Sequence, residues 1–325
     1  MLFRSVIEQS QPRWLAFLNG QIDLIDPVPP DLANAAAPLG KLAPGLAKKG
    51  IRAHRIVAAD VTMSYFNMDD PVVGGYTPDK VALRRAIGLG VDLDREIRLV
   101  RRGQGIPAQS GVPPNTWGYD PTYKSSNSEY SPSRAKALLD LYGYVDRDGD
   151  GWRDQPDGKP LAIEYSTQAD QISRQLDELW QKNLNAIGIR VVMRPKQFSE
   201  NLKAARAGKL MMWSLGSSAN TPDGFGGFQR VYGPLSGGAN LARFKLDALD
   251  ELYRRSNELP DGPERLALGL QMNKLVTAYM PYKQHVHRVL LDLSQPWLVG
   301  YRRPLFWYAV WMYMDVDMAQ RAAAQ

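Results

Sequence analysis

The sequence predicts a mixed α/β fold, and three observations carry that expectation. Residues 161–193 read as strand, helix, strand: an extended run at 161–165, a helix over 170–187 with Ile172, Leu176, Leu179, Trp180, Leu184 and Ile187 on one side, a stop at Gly188, and a second extended run at 189–193. A unit of this kind implies a parallel strand pair joined by a right-handed crossover. Residues 62–100 repeat the logic, because a β-branched and aromatic run at 62–66 feeds a helix whose apolar positions Val81, Leu83, Ala86, Ile87 and Leu89 recur mostly three and four apart. Finally, 28 glycines and 23 prolines in 325 residues are too many for an all-helical bundle and ordinary for a mixed protein with long connections.

Taken in order, residues 12–26 predict a helix stopped at Asn19-Gly20 and then a very short strand at 22–25. The alanine-, proline- and glycine-rich stretch 29–50 predicts one helix with its approaches, and 52–58 a strand. Thr77 or Asp79 can cap the helix that follows the 62–66 strand, and Asp92 or Asp94 the next one. Arg84 and Arg85 could hold an anion, but paired arginines on a helix are expected on the solvated face. Residues 103–130 predict a long ordered loop with Trp117, Tyr119 and Tyr123 as its private core. Ser131 then caps a helix with Pro132 at its first position and Ala135, Leu138, Leu139 and Tyr142 on one stripe. Further on come a helix over 198–207, a strand at 210–213, helices over 246–257 and 263–280, and an aromatic tail from 282 to 313 that includes Trp297, Tyr301, Phe306, Trp307, Tyr308 and Trp311. Between that 210–213 strand and the late helices, 216–228 has almost no capacity for regular structure. A glycine- and serine-rich loop leaving the C-terminal end of a strand is where open α/β sheets place ligands.

Composition narrows the function. The absence of cysteine excludes disulfides, iron–sulfur clusters, cysteine-ligated zinc and a thiol nucleophile. A net charge of +6 is spread along the chain in short clusters with no recognition motif, so nucleic acid is not an expected partner. No run of 18 apolar residues occurs, and residues 1–12 do not read as an export signal. Enzymes need a convergent set, such as a serine with a positioned histidine or two opposed carboxylates, and with only His54, His285 and His287 the supply is thin. His285 and His287 share a strand face, but no third ligand follows to make a metal site.

One stretch has cation-binding spacing. Asp146, Asp148, Asp150, Asp154 and Asp157 stand at positions 1, 3, 5, 9 and 12 of a loop with Gly151 at position 6, the pattern of a calcium loop except for Asp at position 12. A strand, not a second helix, follows it. Two readings stay open: a structural calcium site, or a turn whose aspartates accept their own backbone amides.

The residues that carry a family resemblance are now in view. Tyr65-Phe66-Asn67 is followed by DKVALRRAI at 79–87 and VDLDR at 91–95. Tyr130-Ser131-Pro132, Ala135 to Leu139, Gly143-Tyr144, DGDG at 148–151, LNAIGIRV at 184–191, Trp213 with Pro222-Asp223, Met280-Pro281 and Val299-Gly300 continue the pattern in order. The chain resembles family 5 of the bacterial extracellular solute-binding proteins, the dipeptide and oligopeptide receptors of ABC importers. The resemblance implies a periplasmic-binding-protein-like fold (type II, two-lobed) that closes over solute in an interlobe cleft without turnover or cofactor. It implies a remnant of the first lobe at 1–65, the second lobe at 66–275 and a return segment at 276–325, with much of the first lobe missing. The expected whole is a periplasmic monomer that hands a peptide or related small organic solute to permease subunits in the inner membrane. The alternatives are a truncated, non-transporting interaction module and, less favoured, a hydrolytic enzyme.

Trp213 is expected as an aromatic platform for solute, with Gly216, Asn220, Asp223 and Phe225 around it. Peptide-binding members of the family place an aspartate three residues after this tryptophan to meet the peptide's ammonium group. Here that position is Gly216, and Asp223 could take over only if the loop folded differently, so a sugar or an opine-like solute stays open beside a peptide.

Overall fold

The structure is a computed structural model that describes residues 7, 9–306 and 310–324. Trp307 and Tyr308 of the aromatic tail lie outside the described residues. Helix α1 (Ser10–Leu18) ends at Asn19 and buries Trp14, Ala16 and Phe17. Strand β1 (Leu24–Ile25) follows. The single helix expected over 29–50 is broken into α2 (Ala33–Ala36), α3 (Pro44–Lys48) and single 3₁₀ turns. Pro30, Pro38 and Pro44 each open a piece, since proline suits a first turn and clashes in a helix interior.

Strands β2 (Arg52–Val57) and β3 (Asp60–Phe66) come next, then α4 (Pro78–Gly90) and α5 (Leu93–Arg95), whose cap Asp92 accepts from the Arg95 amide at 2.8 Å. Contrary to the surface reading, Arg84 is fully buried and donates to the carbonyls of Val73, Gly75 and Tyr279. Strand β4 (Gly105–Pro107), helix α6 (Pro132–Leu141), and the predicted crossover unit β5 (Ala162–Gln168), α7 (Gln171–Asn185) and β6 (Arg190–Lys196) follow. β5 and β6 pair in parallel from Ala162↔Arg190 to Gln168↔Lys196. Beyond them lie α8 (Phe198–Arg206), β7 (Met212–Ser218), a 3₁₀ segment at Gly224–Val231, α9 (Asp247–Glu258) and α10 (Pro263–Tyr279). The chain ends with β8 (Tyr282–Gln284), β9 (Val286–Ser294), β10 (Leu298–Val299), β11 (Asp315–Val316) and α11 (Met318–Ala323).

A five-stranded sheet in the order β6-β5-β7-β3-β8 organises the larger part of the molecule. Alternation along β3 serves two cores: Val61, Met63 and Tyr65 face one that contains Trp213, Phe225, Met272 and Val276, while Phe66 joins Ile163, Tyr165, Trp180 and Leu184 in the other. A second sheet, β1-β9-β2 with β4 also on β9, packs Leu291 and Leu293 against Trp14, Phe17 and Ile25. Residues 60–65 and 276–284 therefore pack with the larger sheet, so the boundaries drawn at 65 and 276 each cut an element that belongs there.

The 224–231 turn is pinned where Phe225 lies against Gly269 of α10; a Cβ on Gly269 would sit 2.0 Å from Phe225 Cζ. Gly269→Ala should therefore destabilise the chain by about 1–3 kcal/mol, whereas at Gly226 a Cβ meets nothing within 4 Å and the same change should cost little. Urea denaturation of the two variants measures the contrast.

Candidate functional site

The outer half of β7 has one covered edge and one uncovered edge. Toward β3 it pairs from Phe66↔Met212 to Asp60↔Ser218, but toward β5 the backbone pairs stop at Ser166↔Trp213. Past that point Gln168 reaches across, its side-chain amide donating to the Ser214 carbonyl at 2.8 Å. On the other side of β3, the Thr62 carbonyl accepts from the His285 amide at 2.8 Å, so Thr62↔Gly216 is a pair without mutual hydrogen bonds. Gly216 consequently points both its N–H and its C=O at the uncovered edge. Gly216 and Ser218 are exposed, and only Thr62 Cγ2, at 3.9 Å, comes within reach of a Cβ added at Gly216. The result is a short accessible length of unpaired main chain with small side chains, able to pair with an extended ligand.

The family model for the middle region of the bacterial extracellular solute-binding proteins, family 5, matches residues 3–239. The chain belongs to that family. It is 29% identical over 228 residues to a di/tripeptide-binding protein 2 of Pseudomonas aeruginosa, covering 69% of this chain and 40% of that protein. It is 24% identical over 228 residues to the dipeptide-binding protein of Escherichia coli, again 69% and 40%. Among solved structures, the oligopeptide-binding protein AppA of Bacillus subtilis with a nonapeptide matches 96% of this chain and 59% of its own at a TM-score of 0.81 and 18% identity. NikA of Brucella suis with Fe(III)-EDTA matches 92% and 58% at a TM-score of 0.74 and 22% identity. The chain thus spans about 40% of the length of the curated relatives it matches.

Three of the expected solute residues turn out to be structural. Trp213 occupies a core-facing position of β7 and is 0% exposed, its ring edge-on to Tyr65 and tilted against Phe198. It offers no platform, because the period of two that places Met63 and Tyr65 inside places Trp213 inside as well. Its indole N–H has no hydrogen-bond partner, a penalty of about 1–3 kcal/mol that burial of so large a ring offsets. Phe225 is 1% exposed between Trp117, Phe228 and Gly269. Asp223 accepts the Phe225 amide with Oδ1 and Arg265 Nη2 with Oδ2 at 2.7 Å, while the Arg265 guanidinium lies 4.6 Å from the centre of the Trp117 ring. Asp223 is therefore committed to holding the loop and does not replace the carboxylate missing at 216. Gly216 and Asn220 stay at the surface, with Gly216 inside the strand and not in a loop.

In the acidic loop, Asp146, Asp148 and Asp150 bring oxygens within 4.8 Å of one another, and all three are exposed. Those carboxylates already accept amides of the loop itself, Asp146 from Gly149 and Gly151, Asp148 from Asp150, and Asp150 from Trp152. Asp154 and Asp157 stand apart from the group: Asp154 accepts from the Arg147 amide, and Asp157 pairs with Lys159 at 2.7 Å.

A buried polar network fills the crossing between the sheets. Ser64 Oγ lies 2.9 Å from His285 Nε2, and His285 Nδ1 lies 3.9 Å from Glu96 Oε2. This resembles a nucleophile, base and acid in distance only. Ser64 and Glu96 are 0% exposed and His285 2%, Ser64 Oγ is shared with the Tyr165 hydroxyl at 2.5 Å, and Trp180 lies against the imidazole. Burial holds the His285 pKa down at about 4, so it is a poor base at neutral pH, and no substrate atom can reach Ser64. The relatives are binding proteins, and here the set works as packing. His287 is likewise held by the Asp60 carbonyl at 2.7 Å.

Lys283, also buried, donates to the Asn127 carbonyl. Burial pulls its pKa down from 10.5 to about 7, with Glu96 opposing. The unfolded chain holds that proton up to pH 10.5, so folding gains stability as pH rises from about 7 toward 10.5. Relative to a Lys283→Met variant, the native chain should gain on the order of 1–3 kcal/mol between pH 7 and pH 10, read from denaturation midpoints of both proteins at each pH.

Proposed function

We propose that this chain captures a peptide or a related small organic solute by main-chain pairing along the uncovered edge of β7, as the solute-binding component of an ABC importer. The observation that carries the reading is the orientation of Gly216, whose N–H and C=O face outward where β5 has stopped pairing. Added-strand recognition takes affinity from the main chain and leaves specificity to neighbouring pockets. It does not depend on the tryptophan platform that the fold has buried.

Support for the solute class comes from the relatives. The curated ones are named for dipeptides, di- and tripeptides or oligopeptides, and similar solved structures hold peptide STSA, Met-Leu, Ni(L-His) or Fe(III)-EDTA. The location that fits such a protein is the periplasm, with permease subunits of the inner membrane as partners and no chemical turnover.

Replacing Gly216 by proline removes the outward N–H without breaking a ladder bond to β3. In a thermal-shift screen of short peptides, Gly216→Pro should abolish the stabilisation seen for the native chain while leaving its unliganded melting temperature within a few degrees. Retained stabilisation would remove main-chain pairing at β7 from the reading. The screen includes peptides with free and with acetylated amino termini. The absence of a carboxylate at 216 and the engagement of Asp223 predict similar affinities for the two sets.

A further inference from the structure

A side chain bridges the fork between β5 and β7. β5 keeps its register with β6 as far as Gln168↔Lys196, but its pairing with β7 ends at Ser166↔Trp213. At the fork the Thr167 carbonyl is engaged by Asn201 Nδ2 of α8 at 2.7 Å. Gln168 folds back across the gap and donates from Nε2 to the Ser214 carbonyl at 2.8 Å. A carboxamide carries an acceptor oxygen beside its donor nitrogen. Gln168 is half-buried, and among the described residues no hydrogen bond reaches its Oε1.

What that oxygen faces follows from the ladder. The Phe66 amide donates to Pro281 and the Thr62 carbonyl accepts from His285, so the even-numbered residues of β3 bond away from β7. The mutually bonded pairs between β3 and β7 are therefore Tyr65↔Trp213 and Met63↔Leu215, and the main-chain groups of Ser214 and Gly216 face the fork. Along that edge the Ser214 carbonyl comes first, then the N–H and the carbonyl of Gly216. An extended solute that gives a carbonyl to the Gly216 N–H brings a main-chain N–H toward the Ser214 carbonyl. This holds for either strand direction, because donors and acceptors alternate along a strand edge. There the solute N–H meets the Gln168 carboxamide, which stands where the N–H of a neighbouring strand stands in a regular ladder.

We propose that Gln168 is a specificity-determining residue of the capture edge, its carboxamide inserted into the ladder as an extra amide that holds Ser214 with Nε2 and accepts a solute N–H with Oε1. The inference rests on the solute-capture reading and narrows it to solutes with a free main-chain N–H one step along from the carbonyl that pairs with Gly216. A proline or an N-methylated residue at that step is disfavoured. The acceptor is neutral, so it serves an amide N–H without requiring a positive charge, in keeping with the absence of a carboxylate at Gly216.

The test uses acetyl-trialanine amide, neutral at both ends, and its three forms N-methylated at one alanine each. They are titrated calorimetrically into the full chain and into Gln168→Met. Methionine is close to glutamine in length, so it keeps the fork filled and supplies no amide oxygen. The variant should bind the parent peptide on the order of 3- to 10-fold more weakly. Methylation of the N–H that meets Oε1 should cost the native chain a similar factor and the variant little, so the two changes are non-additive at one position of the peptide. Equal or tighter binding by Gln168→Met, or additivity at all three positions, overturns the inference and leaves capture at Gly216 standing. In that case the side chain is a plug that the solute displaces or ignores. A native chain that binds none of the peptides removes the capture reading and this inference with it.

A second measurement needs no folded variant for its outcome. The Gln168 side-chain amide cross-peaks, assigned by their loss in Gln168→Met, are followed by NMR in the native chain. They should shift saturably with the parent peptide and less with the peptide methylated at the sensitive position. Cross-peaks that stay in place under saturating peptide overturn the inference. Circular dichroism and the unliganded melting temperature check that Gln168→Met retains the fold.

Discussion

Strand β3 is the constraint on which the rest of the structure depends. It is buried along nearly its whole length, and both of its edges are occupied, one by β7 and the other by β8. A strand in that position must satisfy every main-chain group within the protein and must send alternate side chains into two separate cores. The second requirement explains why Met63 and Tyr65 sit among Trp213, Met272 and Val276 while Phe66 sits among the residues of α4 and α7. The first requirement draws in the return of the chain, because β8 supplies the partner that closes the second edge of β3.

At the start of β3 the two passages between the sheets lie side by side and are tied together. Asp60 accepts from the Arg288 amide at 3.0 Å and from its guanidinium at 2.6 Å, and the Ala58 amide donates to the Arg288 carbonyl. The polar side chains that cluster just inside this crossing, Ser64, His285, Glu96, Arg101 and Lys283, have no route to water and can be kept only by meeting one another or the backbone. Glu96 Oε2 lacks even that, having no hydrogen-bond partner. A serine, a histidine and a carboxylate at short range therefore record the cost of polar atoms in a core, and exposure rather than distance separates them from a catalytic set.

The same sheet that buries these groups exposes others. β5 and β7 diverge after Ser166↔Trp213, so the small residues of β7 beyond that point are uncovered on one side while β3 holds them on the other. Around this edge the 219–231 segment is held rigidly: Asp223 and Asp261 grip Arg265, Arg265 stacks on Trp117, and Phe225 fills the space that Gly269 leaves. Aromatic and acidic residues that read as a binding surface thus serve to hold the segment in place. What stays open to an extended ligand in the proposed reading is the main chain of Gly216.

Sequence by itself determined the α/β class, the 161–193 crossover with its parallel pair, the Ser131-Pro132 helix start and the family. Each of these is a local signal, a periodicity, a cap or an ordered set of short motifs, and local signals survive without knowledge of neighbours. Tertiary structure alone decided which of the expected solute residues are buried and which stay at the surface. Trp213 looks the same in sequence whether its strand turns it inward or outward, and only the register with Tyr65 settles that it points inward. Asp223 reads as free until α10 brings Arg265 to it from a distant part of the chain. Burial and pairing depend on elements far apart in the chain, and no window of sequence contains both partners.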